Sequence, residues 1–206
     1  MTIDTAPFFE RTFAGAPLMA ILRSAGVERA VRVASTAWEL GLDSVEVTIQ
    51  SEADVDALRE VARLGRARGA VVGAGTIVRA DQVDVAIEAG AGYLVSPGLD
   101  PEVVRAAQAA GIPILPGVAT PSEVQQAVAL GLTWLKAFPA QWLGADWFRH
   151  IRGPFPQVSF VATGGMDAAN AGAFLDAGVR VVAVGSALED EAQLERLAAL
   201  LRSRSA

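Results

Sequence analysis

Short apolar runs recur along the chain, at 18–23, 44–49, 70–77, 93–96, 112–118, 134–138, 159–163 and 181–184. Between them lie alanine-rich segments such as 28–40, 52–68, 80–89 and 121–130, whose apolar residues fall at helical spacing. Each strand-like run followed by a helical segment reads as a βα unit, because a helix can carry the chain back to a parallel neighbour. Eight such units predict an α/β fold that closes into a (β/α)8 TIM barrel. An amphipathic stretch around Phe8, Phe9 and Phe13 predicts a short N-terminal helix ahead of the first strand. An open doubly wound sheet is the alternative, and its first turn usually carries Gly-x-Gly-x-x-Gly. The nearest match, Val72-Gly73-Ala74-Gly75-Thr76, lacks the third glycine. At 206 residues, with no segment resembling a linker, one domain spanning 1–206 is expected.

Barrel enzymes place their chemistry at the C-terminal ends of the strands. In the second strand, period-two alternation puts Val45, Val47 and Ile49 on one face and Glu46, Thr48 and Gln50 on the other. If the apolar set packs under the helices, Glu46 points into the barrel, where a carboxylate is costly unless paired or used. Two readings stand: an ion pair with a barrel arginine such as Arg23, or an acid/base group.

The sixth strand ends in Trp134-Leu135-Lys136-Ala137-Phe138-Pro139-Ala140, which holds the only lysine of the chain against sixteen arginines. An ammonium in apolar surroundings gives up its proton far more readily than a guanidinium, and the free amine attacks carbonyls. A surface lysine with an extended stem is the ordinary alternative. Paired with Glu46, Lys136 suits Schiff-base chemistry. An iminium at a ketone carbon withdraws electrons so that a neighbouring carbon–carbon bond breaks to an enamine, with the carboxylate moving the protons.

Strands seven and eight end in Thr163-Gly164-Gly165 and Gly185-Ser186, each expected just before a helix. This is where barrels commonly hold phosphate, since glycine lets backbone N–H groups approach an anion and Ser186 adds a hydroxyl donor. The composition agrees with a small anionic substrate but with no larger polyanion. A net charge of -6 disfavours nucleic acid and anionic membrane as partners. There is no cysteine and one histidine, His150, expected on a solvated helix face, which leaves little material for a zinc site. A carboxylate-bound magnesium stays open on composition alone, and no cofactor is expected. No apolar run approaches the ~20 residues that cross a bilayer, and the first seventeen residues carry Asp4, Glu10 and Arg11 without the apolar core of a signal peptide. A cytoplasmic protein is the expectation. Trp38, Trp134, Trp142 and Trp147 are expected to be packing residues, in part at a subunit contact.

With these residues in place, the chain resembles the bacterial 2-dehydro-3-deoxy-phosphogluconate (KDPG) and 4-hydroxy-2-oxoglutarate (KHG) aldolase family, including its phosphogalactonate relatives. The resemblance rests on Ala20-Ile21-Leu22-Arg23, Val45-Glu46-Val47-Thr48, Val72-Gly73-Ala74-Gly75-Thr76 and Val95-Ser96-Pro97-Gly98 in the first half. In the second half it rests on the run from Leu115 through Pro116, Gly117 and Thr120 to Glu123, on Leu135-Lys136-Ala137-Phe138-Pro139-Ala140, and on the two glycine turns. It implies a metal-independent class I aldolase, a homotrimer, acting on a phosphorylated 2-keto acid. Carried over position by position, it implies Lys136 as the Schiff-base lysine, Glu46 as acid/base, and Arg23 with Thr76 at the pyruvate carboxylate. Pro97 and Phe138 become pocket walls, with Thr163, Gly164, Gly165, Gly185 and Ser186 at the phosphate end. Two positions depart from the family pattern: Gln50, where well-known members have an arginine, and Ala137, where bulkier residues are common. The alternatives are the galactonate epimer as substrate, or a barrel that binds a phosphorylated sugar acid without cleaving it.

Overall fold

The computed structural model describes residues 5–23 and 26–204, so Asp4 and the extreme ends of the expected 1–206 domain lie outside the described residues. The strands are β1 (Leu18–Leu22), β2 (Ser44–Thr48), β3 (Val71–Gly75), β4 (Tyr93–Val95), β5 (Ile114–Leu115), β6 (Gly117–Val118), β7 (Trp134–Ala137), β8 (Ser159–Thr163) and β9 (Val181–Val184). They form one parallel sheet in the order β5-β4-β3-β2-β1-β9-β8-β7-β6. The two ends of that order are halves of a single apolar run, so the sheet closes on itself as the expected (β/α)8 barrel. The run 112–118, expected as one strand, is split at Pro116. Proline has no N–H to donate to the ladder, and its carbonyl instead accepts from the Lys136 N–H at 2.9 Å.

The helices are α1 (Ala6–Thr12), α2 (Gly26–Glu39), α3 (Glu52–Arg68), α4 (Gln82–Glu88), α5 (Pro101–Ala110), α6 (Pro121–Ala129), α7 (Ala140–Leu143), α8 (Ala145–Ile151), α9 (Ala171–Asp176) and α10 (Glu191–Arg204), with a 3-10 turn at Ser186–Glu189 before α10. Local chemistry sets their ends. Ser51 Oγ accepts from the Asp54 N–H at the start of α3, and Gly69 closes that helix at φ 75°. Thr120 and Glu123 form a reciprocal capping box at the start of α6, with Pro121 at its first position.

Two apolar layers result. Val45, Val47 and Ile49 pack outward with Leu58, Val61 and other helix residues, as the alternation of β2 requires. Inside the barrel, Met19, Ile21, Val95, Leu115, Val161 and Val181 pack with Tyr93 and Trp134. Phe9 and Phe13 of α1 and its C-terminal boundary join this inner layer. Phe9 meets Tyr93 edge-on at 6.0 Å, and Phe13 lies 5.3 Å from Trp134. The N-terminal helix therefore stoppers the barrel at the end where the strands begin.

Trp38 and Trp134 are buried and Trp147 half-buried, but Trp142 is 88% exposed on α7 and packs into no core of this chain. Core packing within this chain is therefore not the role of Trp142, because the four-residue helix α7 buries Ala140 and turns the indole outward. His150 is exposed, as expected, with Nδ1 2.7 Å from the Asp146 carbonyl.

Candidate active site

Inward-facing positions of β2 and β7 bring Glu46 and Lys136 together near the C-terminal ends of their strands. Lys136 Nζ lies 3.8 Å from Glu46 Oε1, with side-chain exposures of 7% and 1%. That spacing exceeds direct hydrogen-bond contact, yet one oxygen at about 2.8 Å from each group fits between them in a bent arrangement. Glu46 Oε2 is buried without a hydrogen-bond partner among the described residues. A buried carboxylate oxygen left unpaired is uncommon in folded proteins, and function is one of the few things that retains it. Of the two readings of Glu46, the ion-pair partner is Lys136, not Arg23.

The ring of Phe138 sits 5.4 Å from Lys136 Nζ, within cation–π range. On the other flank, Gly117 pairs in register with Lys136, and a Cβ at Gly117 would stand 2.1 Å from the Pro97 carbonyl oxygen. Only glycine at that position lets the loop after β4 come so close to β6. Thr76, half-buried directly after β3, holds φ 64°, a conformation that β-branched residues seldom adopt.

A cavity of about 390 Å³ opens beside this pair. Arg23, Gly164, Gly165, Gly185 and Ser186 stand in its wall, and Ile21 and Ala183 of the inner barrel layer also line it. The expected phosphate-end glycines and Arg23 are thus brought together. Lys136, Glu46, Thr76, Pro97 and Phe138 are not in that wall, and Thr163 is buried at 1% exposure. The two groups of residues meet at Phe138, whose ring would be 3.1 Å from a Cβ on Gly164. Arg23 follows β1, which lies between β2 with Glu46 and β9 with the turn into Ser186, and it lines the cavity together with Ser186.

One expectation needs correction. Gly165 does not enter a helix directly: residues 166–170 intervene before α9. That segment is held by Asn170, whose Nδ2 donates to the Gly165 carbonyl at 2.8 Å while its Oδ1 accepts from the Asp167 N–H. Only Gly185 and Ser186 run straight into a helical turn.

The family model described as "Aldolase: KDPG and KHG aldolase" matches residues 9–200. The chain belongs to this family. KDPG/KHG aldolases break a carbon–carbon bond, so the protein is a carbon–carbon lyase. The Escherichia coli K12 protein named KHG/KDPG aldolase is 37% identical over 155 residues, covering 75% of this chain and 72% of that one. A Zymomonas mobilis 2-keto-3-deoxy-6-phosphogluconate aldolase, solved with 3-phosphoglycerate, superposes with a TM-score of 0.84 at 29% identity, covering 99% and 97% of the two chains. A Legionella pneumophila KDPG aldolase, solved with pyruvate captured as a covalent carbinolamine, gives 0.80 at 29% identity over 93% and 95%.

Against this family background, the structure gives roles to residues that the sequence reading left without one. Gly75 is one: a Cβ there would stand 1.9 Å from Glu46 Oε1, so the carboxylate occupies the space where a side chain would be. Gln141 is another, since its side-chain amide lies against Gly165 and its backbone N–H donates to the Gly164 carbonyl at 3.0 Å. The third is the pair Arg29 and Glu189, which also stands in the cavity wall. Alternation gives the first a signal, because both lie on inward positions of adjacent strands, Gly75 two residues beyond Gly73, the register partner of Glu46. The other two depend on contacts between distant parts of the chain.

Among the described residues, no helix is long and apolar enough to cross a membrane, and no group of three or more His, Cys, Asp or Glu is placed to hold a metal ion.

Proposed function

We propose that the protein is a class I aldolase that cleaves 2-keto-3-deoxy-6-phosphogluconate to pyruvate and glyceraldehyde 3-phosphate, and 4-hydroxy-2-oxoglutarate to pyruvate and glyoxylate. The observation that carries this reading is the buried Lys136 and Glu46 pair, with one carboxylate oxygen unpaired, at the catalytic end of a barrel from this family. The Lys136 amine attacks the C2 ketone to give a carbinolamine. Glu46 donates a proton to the departing hydroxyl, water leaves, and an iminium forms. Glu46, now a carboxylate, takes the proton of the C4 hydroxyl. The electrons of the C3–C4 bond move into the iminium, releasing the aldehyde and leaving an enamine. Protonation at C3 and addition of water then free pyruvate and regenerate the amine.

In this reading Arg23 and Thr76 hold the pyruvate carboxylate, Pro97 and Phe138 wall the reacting carbons, and the turn from Thr163 to Gly165 with Gly185 and Ser186 receives the phosphate. Apart from Thr163 and Thr76, these polar and glycine positions share one cavity with room for a sugar phosphate, which supports the placement of the phosphate. A homotrimer in the cytoplasm, without a metal, completes the proposal.

The test is incubation with pyruvate and borohydride, followed by peptide mass mapping. The expected result is a reduced pyruvyl adduct on Lys136, together with cleavage activity that survives chelation. An unmodified protein that still binds the phosphate ester would favour the non-catalytic binding barrel. Cleavage rates on the gluconate and galactonate epimers then assign the substrate, since a site that hydrogen-bonds one hydroxyl strongly rejects its inversion.

A further inference from the structure

The cavity beside the lysine carries a second arginine that the mechanism leaves unused. Arg29, in the first turn of α2, donates Nε to Glu189 Oε2 at 2.9 Å and Nη2 to Oε1 at 2.7 Å, and both residues stand in the cavity wall. A cation in the first turn of a helix opposes the helix dipole. Glu189, 160 residues away in sequence, offsets that and holds the guanidinium in a fixed fork. The hydrogen bonds to Glu189 raise the Arg29 proton affinity and hold the Glu189 carboxyl below its usual range. The Nη1 donors take no part in the pair.

Glu189 also ends the 3-10 turn that Ser186 begins. In such a helix residues i and i+3 eclipse, so Ser186 and Glu189 project to the same side, and Arg29 is brought to the side that bears Ser186. The pair is half-exposed, at 48% and 36%, and therefore open to a solute. With Arg23 and Asp167, the cavity wall carries two positive and two negative side chains. A phosphate dianion entering it meets both Arg29 and the charge of Glu189.

We infer that Arg29 is a specificity-determining residue that reads the substrate's terminal phosphate, with Glu189 as a positioning residue that both aims the guanidinium and tempers its charge. The inference rests on the reading of this cavity as the seat of the phosphate. It gives two substitutions opposite signs, which a purely structural ion pair does not.

The experiment compares kcat/KM for the phosphorylated sugar acid with that for the same sugar acid lacking its phosphate, in the wild type, Arg29→Gln and Glu189→Gln. Inhibition by inorganic phosphate is measured alongside. Arg29→Gln is expected to lower the selectivity ratio and weaken phosphate inhibition about tenfold, the scale of one charge-assisted hydrogen bond. Glu189→Gln keeps an acceptor for Arg29 but removes the negative charge, and is expected to strengthen phosphate inhibition about threefold at low salt. Equal inhibition of wild type and Arg29→Gln, or shifts of the same sign in both variants, overturns the inference and leaves the phosphate seat standing. If phosphate fails to inhibit even the wild type and the two substrates are cleaved alike, the phosphate seat itself fails and the inference with it.

Discussion

The two ends of the barrel interior are built from the same strands and serve opposite purposes. At the end where the strands begin, Tyr93 is wholly buried among Phe9, Trp134 and other apolar residues, and its hydroxyl is satisfied by Ser44 at 3.0 Å and the Val45 carbonyl at 3.1 Å. At the other end Glu46, equally buried, keeps one oxygen without a partner beside Lys136. Strand β3 makes room for both. Its inward positions are Gly73 and Gly75, where a Cβ would stand 2.3 Å from the Tyr93 ring and 1.9 Å from Glu46 Oε1 respectively. One glycine hole is filled by a stopper and the next by a reactive group. Under the proposed mechanism, stability is concentrated at the satisfied end and reactivity at the unsatisfied one.

The most drastic way to break the comparison acts on the reactive end alone. Lys136→Arg keeps a cation beside Glu46 but removes the amine that the proposed mechanism sets against the ketone. Cleavage is expected to fall at least about a thousandfold, with pyruvate and borohydride no longer modifying the protein. The urea midpoint should move far less than the activity. A loss of folding in step with the loss of cleavage would mean that the pair is structural.

The two glycines sharpen the contrast within one strand. Gly75→Ala pushes directly on the Glu46 carboxylate, and a displacement of about 1 Å in an acid/base group costs roughly a hundredfold in kcat. Gly73→Ala pushes on a ring that is buried and hydrogen-bonded, so it cannot swing aside. That substitution is expected to cost about 2–3 kcal/mol of stability, with the kcat of the remaining folded protein largely kept. Equilibrium unfolding and active-site titration on the two variants separate these outcomes. If both lost stability and kcat in the same proportion, the division between the two ends would not hold.

Most of this barrel is legible in the chain, because strand runs and helical spacing announce each βα unit. Glu46 follows from alternation along β2, and Lys136 stands out as the only lysine. The glycines of β3 teach a subtler lesson. Gly73-Ala74-Gly75 falls within the run 70–77, read as a strand, and the fold keeps it there; what the chain alone does not show is that the missing side chains admit Tyr93 and Glu46. The absence of a Cβ does not say which distant side chain will fill the space. The Arg29 and Glu189 pair is invisible for another reason: its partners lie 160 residues apart, and only closure of the barrel brings β9 beside β1. For Trp142 the chain does not tell core packing from a place on the surface, which only the tertiary position of α7 decides.

A smaller effect comes from pH, acting on the stopper end. Burial pushes the Tyr93 phenol above its ordinary value near 10; the hydrogen bond from Ser44 opposes this and the Glu46 charge adds to it. The folded chain therefore keeps a proton that the unfolded chain releases above about pH 10, and stability falls there by about 1.4 kcal/mol per pH unit. Below that pH the tyrosine contributes no slope. Tyr93 is the only tyrosine of the chain, so tyrosinate absorbance should appear only as the protein unfolds, and Tyr93→Phe should flatten the alkaline limb of the stability curve by one proton. Tyrosinate rising before the unfolding transition would show the stopper to be open to solvent.

The smallest expected change in stability belongs to the reactive end. Thr76 is held at φ 64°, which glycine adopts without strain and threonine does not. Thr76→Gly relieves that strain but adds freedom to the unfolded chain, so the two effects nearly cancel and stability should stay level or rise by up to about 1 kcal/mol. The hydroxyl is lost in the same step. If it holds the pyruvate carboxylate, the Michaelis constant for pyruvate in the condensation direction should rise about tenfold. A variant at least as stable as the parent and poorer at binding pyruvate would place the strain at the site of chemistry. A variant that loses stability and keeps its pyruvate affinity would assign Thr76 to the scaffold, and the unsatisfied end of the barrel would then consist of Lys136 and Glu46 without it.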